Sequence, residues 1–206
     1  MNQIATVSAL TFGAQAFVTL FVILDPPGAT PIFLGLVAGE SERRKRRMAW
    51  QGAFISFAVI VSFAIFGNAL LSYLNISFAS LQGAGGLLLL ITALGLLTGY
   101  APDEKPGVSK NVALVPLGTP LLAGPGAIVT TMLFVQDAND WGQTSALFIA
   151  IVAVHVVIGL TLMFSTKILA VIKDAGVDLV AKIAGLLLAA IAVEMIVASI
   201  KAYFLN

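Results

Sequence analysis

Leu24-Asp25-Pro26-Pro27-Gly28-Ala29-Thr30-Pro31 lies inside an apolar region that runs from Met1 to Gly39 with Asp25 as its only charge. Adjacent prolines remove two backbone donors, and the glycine beside them is conformationally permissive, so no α-helix passes through undisturbed. A matching stretch, Leu122-Ala123-Gly124-Pro125-Gly126-Ala127, occurs 98 residues later. In hydrocarbon an interrupted backbone survives only where protein buries it or where it lines a cavity. Each stretch therefore predicts a membrane span divided into two half-helices. Thr30-Pro31 and Thr119-Pro120 read as N-caps followed by proline at the first helical position. A broken span and a re-entrant pair fit the first stretch equally well.

The rest of the chain sets these breaks in a membrane. Of 206 residues, 59% are hydrophobic and only 10% charged, and mean hydropathy is +1.03. Water could not accommodate that much apolar surface. The net charge of +1 excludes a nucleic-acid-binding domain. With no Cys and one His there is no disulfide framework, thiol nucleophile or His-rich metal site, and no metal or cofactor is expected.

Runs of roughly 20 apolar residues predict six helical crossings. The first is the interrupted N-terminal region, read as a retained span. Met48 to Pro102 turns at Tyr73-Leu74-Asn75 to give spans near 50–72 and 78–99. Asn111–Gln136, Trp141–Thr166 and Ile183–Ile200 supply the others. Arg43, Arg44, Lys45, Arg46 and Arg47 are expected in the loop after span 1, Lys105 and Lys110 in the loop after span 3, and Lys167, Lys173 and Lys182 between spans 5 and 6. Only Lys201 of the eleven basic residues falls on the other side. The positive-inside rule then makes those loops cytoplasmic and puts both termini outside.

Gly86-Leu87-Leu88-Leu89 matches Gly185-Leu186-Leu187-Leu188 at an offset of 99, close to that of the interrupted stretches. Two three-span halves joined by an odd span count must insert in opposite senses, an arrangement common in secondary transporters. The expected fold is an all-α, single transmembrane domain over 1–206. Its six helices form two inverted repeats of three, about 1–100 and about 111–206, joined by a cytoplasmic linker at 101–110. Spans 1 and 4 are broken at the Pro/Gly motifs.

Three ionisable residues fall inside predicted spans, and each breaks the repeat: Asp25 stands opposite Ala123, His155 opposite Ser56 and Glu194 opposite Gly95. Intramembrane charges are costly and face protein or water. Half-helix N-termini suit a carboxylate and half-helix C-termini a cation. The candidate binding residues are therefore Asp25, Pro26, Pro27, Gly28 and Thr30 at the first break and Gly124, Pro125, Gly126 and Thr130 at the second. Glu194 and His155 are candidates for proton or sodium coupling. Asp25 is read as the partner of a substrate ammonium, with the following half-helix taking the carboxylate; a proton-carrying role is the alternative. Gly28 and Gly126 are expected to let backbone approach solute.

The first motif resembles the Asp-Pro-x-Gly-x-x-Pro signature of the MarC family of bacterial and archaeal integral membrane proteins. Pro120-Leu121-Leu122-Ala123-Gly124-Pro125-Gly126 is similar to that family's second signature, Pro-x-x-Ala-Gly-Pro-Gly. The resemblance extends over essentially the whole chain. It implies a multi-pass protein of the plasma (inner) membrane, grouped with small-solute exporters and including members described as neutral amino-acid transporters. The expected function is secondary transport of a small polar solute, with a lipid bilayer and that solute as partners; oligomeric state is left open. A membrane scaffold or regulator, or an intramembrane enzyme using Asp25 with His155 or Glu194, are the competing readings. The charge pattern makes a direct prediction. A reporter fused after Asn206 should read as external and one in the 103–110 loop as cytoplasmic; an internal C-terminus would remove the inverted repeat.

Overall fold

The computed structural model describes residues 8–37, 39–98 and 123–204. Among them the chain is all-helical, with seven helices: α1 (Ala9–Leu24), α2 (Pro26–Leu36), α3 (Glu42–Tyr73), α4 (Phe78–Thr98), α5 (Pro125–Asp137), α6 (Trp141–Met163) and α7 (Ser165–Phe204). Five stretches are long and apolar enough to cross a bilayer: Ala9–Leu36, Glu42–Tyr73, Phe78–Thr98, Trp141–Met163 and Asp178–Phe204. A sixth crossing was expected at 111–136. Of it the structure describes only the part beginning at Ala123, which holds the 13-residue α5. The linker 101–110 with Lys105 and Lys110, the Thr119-Pro120 cap, and Asn206 lie outside the described residues.

Local chemistry sets most helix ends. Ser8 and Asp140 accept hydrogen bonds from the Thr11 and Gln143 N–H groups, at 3.2 and 2.7 Å, each satisfying a first-turn donor. The turn expected at Tyr73-Leu74-Asn75 is present. Asn75 adopts a left-handed conformation (φ 53°), and the N–H groups of Asn75 and Ile76 reach back to the Ser72 and Leu71 carbonyls. That is a Schellman end with Asn in glycine's usual place. Two expectations are corrected. Arg43–Arg47 are not in a loop but form the first turns of α3, whose 32 residues span about 48 Å and overhang a ~30 Å hydrocarbon core. Lys167 and Lys182 are likewise helical, in α7, which is interrupted at Lys173 (φ 58°, ψ 169°).

Side-chain contacts fix the directions of the helices. α1 and α6 are parallel, with Gly13 on Ala146 and Ala9 near Gly142. α3 and α6 are antiparallel, with Trp50 over Gly159 and Ser56 on His155. α4 and α7 are antiparallel, pairing Gly86 with Ala192 and Gly185 with Ala93. Ala9 and Phe204 thus lie at the same end as Trp141, and the Arg43–Arg47 turns lie at the other. Because α1 starts at one end and α3 at the opposite one, α1 and α2 make one net crossing. The first motif is a broken span, not a re-entrant pair.

One buried cluster joins α1, α2, α3 and α6 and reaches Ala123 and Ala127; a second joins α4, α5 and α7. The α4–α7 contact is close because glycine permits it: a Cβ on Gly86 would lie 2.9 Å from the Ala192 carbonyl oxygen. Gly86→Ala should therefore cost about 1–3 kcal/mol through overpacking, read as a lower thermal midpoint in detergent. Gly35→Ala, which meets nothing within 4 Å, should match the parent chain or exceed it.

Candidate functional site

The first break is a single residue wide. Asp25 ends α1 in the left-handed region (φ 39°, ψ 65°), its own N–H still bonded to the Phe21 carbonyl. Proline at 26 disfavours a helical conformation for the residue before it, and Asp tolerates the left-handed region better than most residues. Asp25 also begins α2. Its Oδ1 accepts the Gly28 N–H at 3.2 Å, with Pro26 and Pro27 in the first turn, where helical donors have no carbonyl to meet. This overturns the reading of Thr30-Pro31 as the cap. Thr30 is inside α2 and wholly buried, and its hydroxyl donates to the Pro26 carbonyl at 3.0 Å. Asp25 is the cap because its left-handed backbone interrupts the helix there and its carboxylate reaches the Gly28 N–H, whereas Thr30 lies within α2 with its hydroxyl already bonded to the Pro26 carbonyl.

The second motif is chemically different. α5 starts at Pro125 with Gly124 as N-cap, and no side chain caps it. The Ala127 and Ile128 N–H groups both turn to the Gly124 carbonyl, at 3.0 and 3.2 Å. Pro125 has no N–H, so the Gly126 amide is the first donor of the helix. Pro125 is exposed and Gly126 buried. Thr130 is buried, its hydroxyl 4.0 Å from the Met195 sulfur. Thr131, absent from the sequence-based candidates, is wholly buried and donates to the Ala127 carbonyl at 2.8 Å. In the second turn of α5 it makes the same bond to the carbonyl four residues back that Thr30 makes in α2, and lying outside either motif it carried no signal.

The two breaks come together in depth. Phe12 and Phe134 stack edge to face with ring centroids 5.5 Å apart. From that pair Asp25 lies thirteen residues along α1 and Gly124 ten residues back along α5. At 1.5 Å per residue those are about 20 and 15 Å in the same direction. The parallel register of α1 and α6 brings His155 to the same layer, about 5 Å thick. The spaces over the glycines are filled by the protein. A Cβ on Gly28 would overlap the Asp25 carboxylate, and one on Gly126 would overlap Leu89.

His155 is fully engaged. Nδ1 donates to the Ile151 carbonyl at 2.7 Å, which leaves Nε2 to accept from the Ser56 hydroxyl at 3.1 Å. Phe57 packs edge-on against the ring. Its partner Ser56 is the residue 99 positions earlier, a relation visible in the sequence only as a repeat offset. Glu194 is exposed on α7, beside Met195, whose sulfur lies 4.0 Å from the Thr130 hydroxyl. Among the described residues no three His, Asp or Glu side chains gather as a metal site would require.

The description "MarC family integral membrane protein" fits residues 10–204. A UPF0056 membrane protein of Methanocaldococcus jannaschii is 34% identical over 93% of this chain and 97% of its own length. The UPF0056 membrane protein YvbG of Bacillus subtilis is 29% identical over 94% and 96%. YhcE of Escherichia coli, another UPF0056 membrane protein, is 27% identical over 91% of each chain. No solved structure matches.

The cap at Asp25 makes a testable coupling. Gly28→Ala should displace the carboxylate and Asp25→Ala should remove it, each destabilising by about 0.5–2 kcal/mol. The double variant should lose little more than either alone, because both lose one bond. Full additivity in thermal midpoints would mean that Asp25 is not the cap of α2.

Proposed function

The chain belongs to the MarC family of integral membrane proteins, and we propose that it is a secondary transporter carrying a small polar solute, a neutral amino acid by class, across the plasma membrane. The observation that carries this reading is the unequal pair of helix starts at one depth. At α2 the protein supplies its own anion, with Oδ1 of Asp25 spent on Gly28. The other carboxylate oxygen of this half-buried residue remains for a substrate ammonium. At α5 the helix start has no side-chain cap, so its Gly126 N–H and positive dipole end suit a substrate carboxylate. A zwitterion bridging the two would satisfy both. The earlier expectation that α2 takes the carboxylate is replaced by α5, since Asp25 already occupies the start of α2. Pro26, Pro27, Thr30, Pro125 and Thr130 hold these two starts in shape.

An inverted repeat supports the reading. Gly86 meets the Ala192 carbonyl and Ile196; Gly185 meets the Ala93 carbonyl and Leu97. Each pair becomes the other when positions are exchanged at an offset of 99, as a two-fold axis in the membrane plane requires. Ser56 and His155, also 99 apart, touch, as equivalent positions do on such an axis. The antiparallel course of α4 and α7 supports an odd number of turns between them, hence a sixth crossing that includes α5. With the Arg43–Arg47 end cytoplasmic, both ends of the chain face outward, and rocking of one half against the other would open the breaks alternately to each side.

The test is flux of neutral amino acids into liposomes holding purified protein, with and without a pH gradient. Wild-type protein should transport, and Asp25→Asn should insert, keep its thermal midpoint within a few degrees and lose binding and flux of the zwitterion. Retained binding with lost pH-driven accumulation would assign Asp25 to proton transfer. Unchanged flux and pH dependence would remove it from the site, and wild-type protein that moves no solute would favour the scaffold reading.

A further inference from the structure

Glu194 is in the wrong place for a surface carboxylate. The register of α7 on α4 sets its depth: Gly185 lies on Ala93, Gly86 on Ala192, and the Ser199 hydroxyl donates to the Ala79 carbonyl at 2.8 Å. Tyr203 hydrogen-bonds Ser77 and Ser80 at the start of α4. Glu194 is therefore level with the residues around Gly86, close to the middle of the 21-residue α4. It lies nine residues from Tyr203, about 13 Å below that end of the bundle.

α7 buries Leu188, Ala192, Met195 and Ser199 against the protein. Glu194 projects elsewhere and is exposed. It falls in a stripe of Ile183, Leu187, Ala190, Glu194, Val197 and Lys201, every one exposed. The spacing alternates four and three residues, the 3.5-residue period by which two helices stay in contact over many turns. A carboxyl group facing lipid tails at this depth costs a few kcal/mol or more. Among the described residues nothing on the neighbouring helices offers a countercharge: α1, α2 and α4 contain no ionisable residue, Lys201 is two turns nearer the surface, and Lys182 pairs with Asp178 near the opposite end.

We propose that this face of α7 is the contact surface for a second copy of the chain, with Glu194 at its centre. Two copies inserted in the same sense are related by an axis normal to the membrane, which keeps every residue at its own depth. The group that meets Glu194 is then the partner's Glu194. A carboxyl group that carries its proton both donates and accepts, so it closes a hydrogen-bonded pair with a second carboxyl group or a carboxylate that lipid tails cannot offer, as polar side chains do between membrane helices. The flanking Leu187, Ala190 and Val197 pack around the pair.

The chain has no cysteine, so single-cysteine variants report contacts directly in native membranes. Under mild oxidation Ala190→Cys and Val197→Cys should give a disulfide-linked dimer on non-reducing gels. Ile91→Cys, also exposed but on α4, should stay monomeric. In the Ala190→Cys background Glu194→Gln should keep the dimer band, because an amide is also self-complementary, and Glu194→Leu should reduce it about three-fold or more. Equal thermal midpoints and membrane yields for the two Glu194 variants would assign that loss to the contact. Cross-linking at 190 and 197 no greater than at 91, or a Leu variant indistinguishable from the Gln variant, would overturn the proposal.

Discussion

Every backbone donor and acceptor in hydrocarbon must find a partner within the protein, and the structure turns on how that demand is met at the break between α1 and α2 and at the start of α5. At Asp25 one residue does the work of two caps: its backbone closes α1 and its side chain opens α2. The carboxylate is therefore fixed at a defined depth and is not free to follow a mobile side chain. At Gly124 the same demand is met by backbone alone, as two N–H groups share one carbonyl. A side chain caps the start of α2, and none caps the start of α5.

The packing that surrounds this layer is built from small residues. α4 and α7 approach until glycine faces a carbonyl, and α3 meets α6 through the Ser56–His155 hydrogen bond. Such contacts have little slack. His155 belongs to this framework: both its ring nitrogens are used, and a protein-locked imidazole is a poor choice for a group that must exchange protons.

What could be read from residues alone was the chemistry that acts locally. Pro26-Pro27 announces the break between α1 and α2, Gly124-Pro125 marks the start of α5, and the Leu74-Asn75 turn separates α3 from α4 as expected. The competition between Asp25 and Thr30 for the cap could not be read, because both are good caps and the left-handed backbone at Asp25 decides between them. Nor could the helical state of Arg43–Arg47, since arginine favours a helix as well as a charged loop. The interruption at Lys173 has no proline to mark it. The outward aim of Glu194 was hidden for a different reason: a helix apolar on nearly every face carries no amphipathic signal of which side is buried.

The central claim is that the uncapped start of α5 receives the carboxylate of the solute. The most direct measurement is the amide resonance of Gly126 in labelled protein in lipid bilayers, followed as a neutral amino acid is added. The account predicts that the Gly126 signal shifts saturably while that of Gly35, on the exposed side of α2, stays fixed. A Gly126 resonance that does not respond under conditions where the same preparation binds or transports the amino acid would contradict it.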